Sequence, residues 1–163
     1  MTNSTYPKSL SFGADSIVLR LPEPKDADSV HSFACALSDH DLLYLRRDIS
    51  KRPVVDAWFD SIQANDSLAL LAENEGTLIG MSGLMLDRKS WSPHVGEIRV
   101  LLGPDARGKG LGRLMIQESF SQALGQGVEK IIAQMTLDQS AARAVFEEMG
   151  FEQEALLKDH VRD

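Results

Sequence analysis

A mixed α/β domain is the fold class this sequence predicts, on three observations. Residues 67–73 and 77–88 are two apolar runs joined by Glu73-Asn74-Glu75-Gly76, the composition of a turn between paired strands. Residues 97–102 form a strand-like run that opens through a glycine-rich stretch, Gly103 to Arg113, onto a helix-like segment at 111–124. Residues 128–135 read as a further strand, followed by a helix at 139–149 in which Ala142, Val145, Phe146 and Met149 share one face at i, i+3, i+4, i+7 spacing.

In chain order, residues 1–15 are polar and are expected to form a flexible or loosely packed N-terminal segment. Residues 16–21 are a first strand, stopped by Pro22 and Pro24. Residues 26–38 read as a helix with an acidic first turn, and residues 52–62 as another, Pro53 being tolerated in its first turn. Between these helices, residues 39–48 have no clean period. Gly80 and Gly83 interrupt the strand at 77–88, which predicts a bulge or a close backbone approach. Residues 95–102 follow as the next strand. Gly150 ends the last helix as its C′ residue, Phe151 begins a new strand, and residues 153–163 supply that strand.

Length and composition bound the function. At 163 residues the chain is one domain, 1–163, large enough to bury most of the surface its unfolded form exposes. No apolar run approaches the ~20 residues of a membrane span, and the start lacks the basic-then-apolar layout of a signal peptide. A lone cysteine, Cys35, cannot form an internal disulfide. A cytoplasmic protein is therefore expected. Phe33, Ala34 and Leu37 around Cys35 predict that it is a buried small residue. The net charge of −7, with Arg107, Lys109 and Arg113 as the one dense basic cluster, argues against a nucleic-acid partner and mildly favours a cationic substrate.

The basic cluster lies inside the glycine-rich stretch, where a strand leading onto a helix N-terminus presents unpaired N–H groups suited to a pyrophosphate. Three phosphate binders are built this way. Gly103 to Lys109 meets the Walker A pattern up to its last position, but Gly110 replaces the hydroxyl that would hold Mg²⁺, and no Walker B partner follows. The dinucleotide fingerprint fails because Arg113 stands where its third glycine is required. The pattern [RQ]-x-x-G-x-[GA] is met by Arg107, Gly110 and Gly112. Here the chain resembles the GNAT superfamily of N-acetyltransferases. The run from Ala142 through Phe146 to Gly150 and Phe151 resembles the second signature of that family, N-x-x-A-x-x-[LV]-Y-x-x-x-G-F. The resemblance runs from about residue 16 to the end.

The resemblance implies a GNAT fold: a mostly antiparallel sheet splayed at its middle, helices on both faces, and acetyl-CoA in the splay as co-substrate, with no metal. It implies that Arg107, Gly108, Lys109, Gly110, Leu111, Gly112 and Arg113 bind the pyrophosphate. Val100, Leu101 and Leu102 would pair with pantetheine, a bulge at Leu102 freeing an N–H for the thioester carbonyl. Gln139, Ala142 and Phe146 complete the cofactor side. The acceptor amine would be lined by residues 39–48. An alkylamine is almost wholly protonated at neutral pH, so a base must take a proton. Glu97 is the first candidate, its other reading being an ion pair with Arg99 on the same face of the strand. His94 is the second; Asp138 and His160 follow.

Two departures from the family stand out. Phe146 occupies the position of the tyrosine that protonates the departing thiolate, and Gln139 that of an asparagine. The family also ends in two antiparallel strands, of which this chain supplies one, so a homodimer completing the sheet is expected. Acetyl transfer to a primary amine is the reading these residues favour. The alternative is an acyl-CoA-binding sensor of the same fold without catalysis, and a third is a structural domain with no ligand.

Overall fold

Asp15 and Phe12 close a hairpin in which β1 (Lys8–Phe12) pairs antiparallel with β2 (Asp15–Arg20). The structure, a computed structural model, describes residues 5–160. The region expected to be loosely packed therefore contains an edge strand. Its polar composition is explained by its place: Tyr6 donates to Glu118 at 2.8 Å and Lys8 pairs with the same carboxylate at 2.7 Å. Residues 1–4 of that expectation lie outside the described residues.

After β2 the chain turns through Pro24–Asp26 into α1 (Ala27–Cys35), a short α2 (Asp39–Leu43) and α3 (Arg52–Gln63). Ser38 caps α2, its hydroxyl accepting from the Asp41 N–H at 3.1 Å. Then come β3 (Ser67–Asn74), β4 (Thr77–Leu86), β5 (Val95–Leu102), α4 (Leu111–Leu124), β6 (Lys130–Ile132) and α5 (Ser140–Glu148). The six strands lie in sequence order in one sheet, every pair antiparallel except β5 with β6. That parallel pair requires a crossover, and α4 provides it.

Alternation along β5 assigns the layers. Leu101 packs with α1 and α3 through Val30, Phe33, Val55 and Phe59, whereas Ile98, Val100 and Leu102 face α4 through Met115 and Ile116. Helices thus cover both faces, as the resemblance implied. The expected irregularity in β4 is present. Ala72 pairs with Gly80 but Glu73 with Leu78, which leaves Ile79 as the extra residue. A Cβ on Gly80 would sit 2.7 Å from Leu102 Cδ2 and 3.2 Å from Leu101 O, so a side chain there would have to displace Leu102.

Three expectations are corrected. The bulge assigned to β5 at Leu102 is absent from its pairing with β4, which keeps one register from Gly96 to Leu102. Cys35 is exposed: the apolar face of α1 runs through Val30, Phe33 and Ala34, and Cys35 points away from it, 3.6 Å from His31 Nε2. Residues 151–160 form no strand, and residues 161–163 of the expected strand lie outside the described residues. Phe151 is occupied otherwise. Its N–H donates to Phe146 O at 3.0 Å while that of Gly150, at φ 89°, donates to Glu147 O at 3.0 Å, the Schellman closure of α5. Its ring then packs edge-on against Phe146, centroids 4.8 Å apart.

Candidate functional site

β6 ends early, and that makes the site. Pairing between β5 and β6 covers only Val95 with Lys130, Gly96 with Ile131 and Glu97 with Ile132. Beyond Glu97, β5 continues five residues bonded to β4 alone, so the sheet forks. The direction of the backbone groups follows from two bonds. Lys130 N–H donates to His94 O at 3.2 Å and Gly103 N–H to Ile79 O at 2.8 Å, so even-numbered residues of β5 face β6 and odd-numbered ones face β4. The N–H groups of Val100 and Leu102 therefore point into the gap. Leu101, grouped with them from the sequence, has its backbone in the β4 ladder opposite Met81.

The gap opens onto the glycine-rich stretch. A 3₁₀ turn at Pro104–Ala106 buries Ala106, after which Arg107, Gly108, Lys109 and Gly110 are exposed. Gly108 at φ 71° and Gly110 at φ 88° hold conformations that L side chains rarely adopt, and no side chain caps the start of α4. The N–H groups of the first turn of α4, at Leu111, Gly112 and Arg113, are thus left for another acceptor. Arg113 pairs at 2.8 Å with Glu148 at the end of α5, and Lys109 lies 3.9 Å from Asp15. Arg107 donates to Leu102 O at 3.1 and 3.0 Å and pairs with Asp41 at 2.9 Å.

The segment from α2 to Arg46 spans the fork. On the β5 side, Asp41 meets Arg107; its burial raises the carboxyl, but hydrogen bonds from Arg107 and Ser38 outweigh this and hold it below the usual carboxylate range. On the β6 side, Tyr44 donates to Asp138 at 2.7 Å, and His40 lies 3.2 Å from the same carboxylate. Thr136 and Tyr44 hydrogen bonds pull Asp138 down to about 2, while the bond to Asp138 pushes the Tyr44 phenol up. At the fork itself, Glu97 is buried with both oxygens engaged: Oε1 accepts from Arg99 Nη2 at 2.6 Å, and Oε2 lies 3.4 Å from Arg46 Nη1. Arg99 Nη1 donates to Gln134 O across the gap, and burial pushes its guanidinium below the usual arginine range. Arg99 Nε is buried with no partner among the described residues.

The structure brings most of the sequence-derived set to this fork, with exceptions. His94 is exposed on the far side of paired residues 95–97, outside the gap, and His160 is exposed on the irregular segment after α5. Gln139 spends its side-chain oxygen on Thr136 N–H at 3.0 Å, bracing the turn into α5, and Ala142 is half-buried on that helix. Phe146 is buried in the cluster that joins α4, α5 and the sheet. Residue-level reasoning missed Asp41, Tyr44 and Arg46, whose segment was singled out only through the resemblance.

Comparison with known proteins fits this geometry. Residues 35–151 match the acetyltransferase (GNAT) family. Mycothiol acetyltransferase of Rhodococcus opacus is 29% identical over 111 residues, which is 67% of this chain and 35% of that protein. That of Streptomyces coelicolor is 32% identical over 107 residues, covering 65% and 32%. The chain thus spans about a third of the length of these relatives. Among solved structures, the GNAT domain of S. lividans PAT superposes with TM-score 0.81 at 17% identity over 95% of this chain and 93% of that one. The yncA protein of Salmonella typhimurium, solved with its cofactor acetyl-CoA, does so with TM-score 0.77 at 19% identity over 90% and 86%. No helix among the described residues is long and apolar enough to cross a membrane. Matched over more than half its length by the family and over nearly all of it by the fold, the chain belongs to the GNAT acetyltransferase family.

Proposed function

We propose that this chain is an N-acetyltransferase that moves an acetyl group from acetyl-CoA directly to a primary amine in a ternary complex. One observation carries the reading: the forked sheet aims the Val100 and Leu102 N–H groups into a gap that leads to an uncapped helix N-terminus. The pyrophosphate would rest on the N–H groups of residues 108–113, with the positive end of α4 behind it. Pantetheine would run along the open edge of β5 as an added strand. The acceptor would enter from the α1 and α3 face, beside residues 39–48.

In this reading the ammonium of the acceptor first loses a proton, through water, to Glu97 at the fork. The neutral amine attacks the thioester carbon, and an N–H of β5 bonds the oxygen as it gains charge. Collapse breaks the C–S bond, the nitrogen passes its second proton to water, water in turn protonates the thiolate, and Glu97 returns its proton to solvent. Phe146 has no proton to give, and a thiol of pKa near 8.5 leaves tolerably without one.

Gly112→Val tests the cofactor side. A Cβ at Gly112 meets Leu102 Cδ1 at 3.5 Å, ordinary contact, so the fold should tolerate it, while the larger side chain blocks close approach to the helix start. The expected outcome is a folded protein whose acetyl-CoA affinity, by calorimetry, has dropped at least tenfold. Unchanged affinity would refute the loop as the pyrophosphate site.

A further inference from the structure

We infer that the acceptor amine carries a carboxylate, received by Arg46 with Arg99 behind it. The inference deepens the proposed function and rests on its placement of the acceptor. The whole chain carries a net charge of −7, yet at the fork two guanidinium groups converge on one carboxylate, Glu97. The other acids on this side are already engaged, Asp41 by Arg107 and Ser38, and Asp138 by Tyr44, Thr136 and His40. Arg46 and Arg99 thus bring two positive charges to the one of Glu97, an excess confined to this pair, since Arg107 is matched by Asp41 and Asp138 keeps its charge under hydrogen bonds from Tyr44 and Thr136. A polyamine brought to this spot would meet like charge.

The geometry of the two arginines supplies the receptor. Arg46 is 56% exposed, and its one ion pair among the described residues is the 3.4 Å approach to Glu97, longer than a good N–H···O bond. Arg99 presents the Nε–Nη2 edge that matches a carboxylate two donors to two acceptors, but Glu97 takes Nη2 alone and Nε has no partner among the described residues. A buried donor left so is costly, and a second carboxylate shared between Arg46 and this edge relieves it. Arg99 also stands within three residues of Val100 and Leu102, about 3–10 Å along the strand. An α-amino acid bound by its carboxylate at the arginines can place its amine near the thioester.

The test uses L-amino acids with uncharged side chains, each against its α-amide, with thiol release as one readout. The second readout is equilibrium binding of the N-acetyl amino acids and their amides to the CoA-loaded protein. The amino acid should be preferred, and Arg46→Ala should cut kcat/KM for it on the order of 10²-fold, through KM, with less than threefold change for the amide. Arg46→Lys should restore part of the loss. Equal use of acid and amide, or a preference that survives Arg46→Ala, overturns the inference and leaves acetyl transfer standing. Arg46-dependent binding of N-acetyl amino acids without any thiol release would instead uphold the carboxylate site and sink the transferase reading.

Discussion

Glu97 sits at the last position of β5 that pairs with β6, where its carboxylate forms the ion pair at the fork. From sequence its two readings, base and partner of Arg99, were open, and the structure makes the pair real without removing the carboxylate from the gap. Glu97→Gln keeps the shape and removes the charge. If Glu97 takes the proton of the amine, the variant should bind acetyl-CoA normally and lose rate by about 10²-fold. Wild-type turnover across the pH range in that variant would leave Glu97 the ion pair alone. Arg46 could not be assigned from sequence because nothing local distinguishes it from Arg47; only the path of the chain after α2 brings it to Glu97.

At the scale of elements, α5 shows how a short helix is held at its site. The Schellman bonds at Gly150 and Phe151 close its end, Phe146 and Phe151 stack edge to face, and Phe120 of α4 packs on Phe151 at 5.6 Å. This locks α5 against α4, beside the helix start that would take the pyrophosphate. Phe146→Ala should cost about 3–5 kcal/mol in urea unfolding, as expected for a buried aromatic. Phe146→Tyr should fold normally, the residue being 9% exposed and the change adding one hydroxyl. A loss below about 1 kcal/mol for the alanine variant would show that Phe146 does not anchor the helix.

For the whole molecule, one polar network ties the first hairpin to the rest. Arg20 pairs with Asp26 at 2.7 Å and Glu73 at 2.5 Å, joining β2, β3 and the entry to α1. Arg20 is less than a quarter exposed and Asp26 is buried, so Arg20→Ala leaves acids desolvated and should cost about 3 kcal/mol. The pH dependence has a definite sign. Hydrogen bonds from Arg20 hold the Asp26 carboxyl below its usual range, so the native state binds its proton less readily than the unfolded chain. This stabilisation is fully present above the ordinary carboxylate range and is lost as pH falls through it toward the lowered native value. Unfolding midpoints measured from neutral to acid pH should therefore fall less steeply in Arg20→Ala than in the wild type. Parallel curves would mean that the network adds nothing to acid lability.

What the sequence by itself determined is local: strand and helix periods, the glycines at 108, 110 and 150 that accept positive φ, the C′ stop of α5, and the two motifs that carry the family. These depend on residues within a few positions of one another, where steric rules and hydrogen bonding act without knowledge of the rest. The tertiary structure alone decided the rest. It kept β5 in one register through Leu102, where a bulge was expected, because register arises from matching two strands rather than from either one. It spent residues 151–160 on a helix closure and an irregular run, Phe151 packing on Phe146 and Phe120 while the polar residues after it stay exposed. It set the charge of the fork through Arg46, Glu97, Arg99 and Asp41, which are up to 58 positions apart and meet only once β5 and β6 diverge.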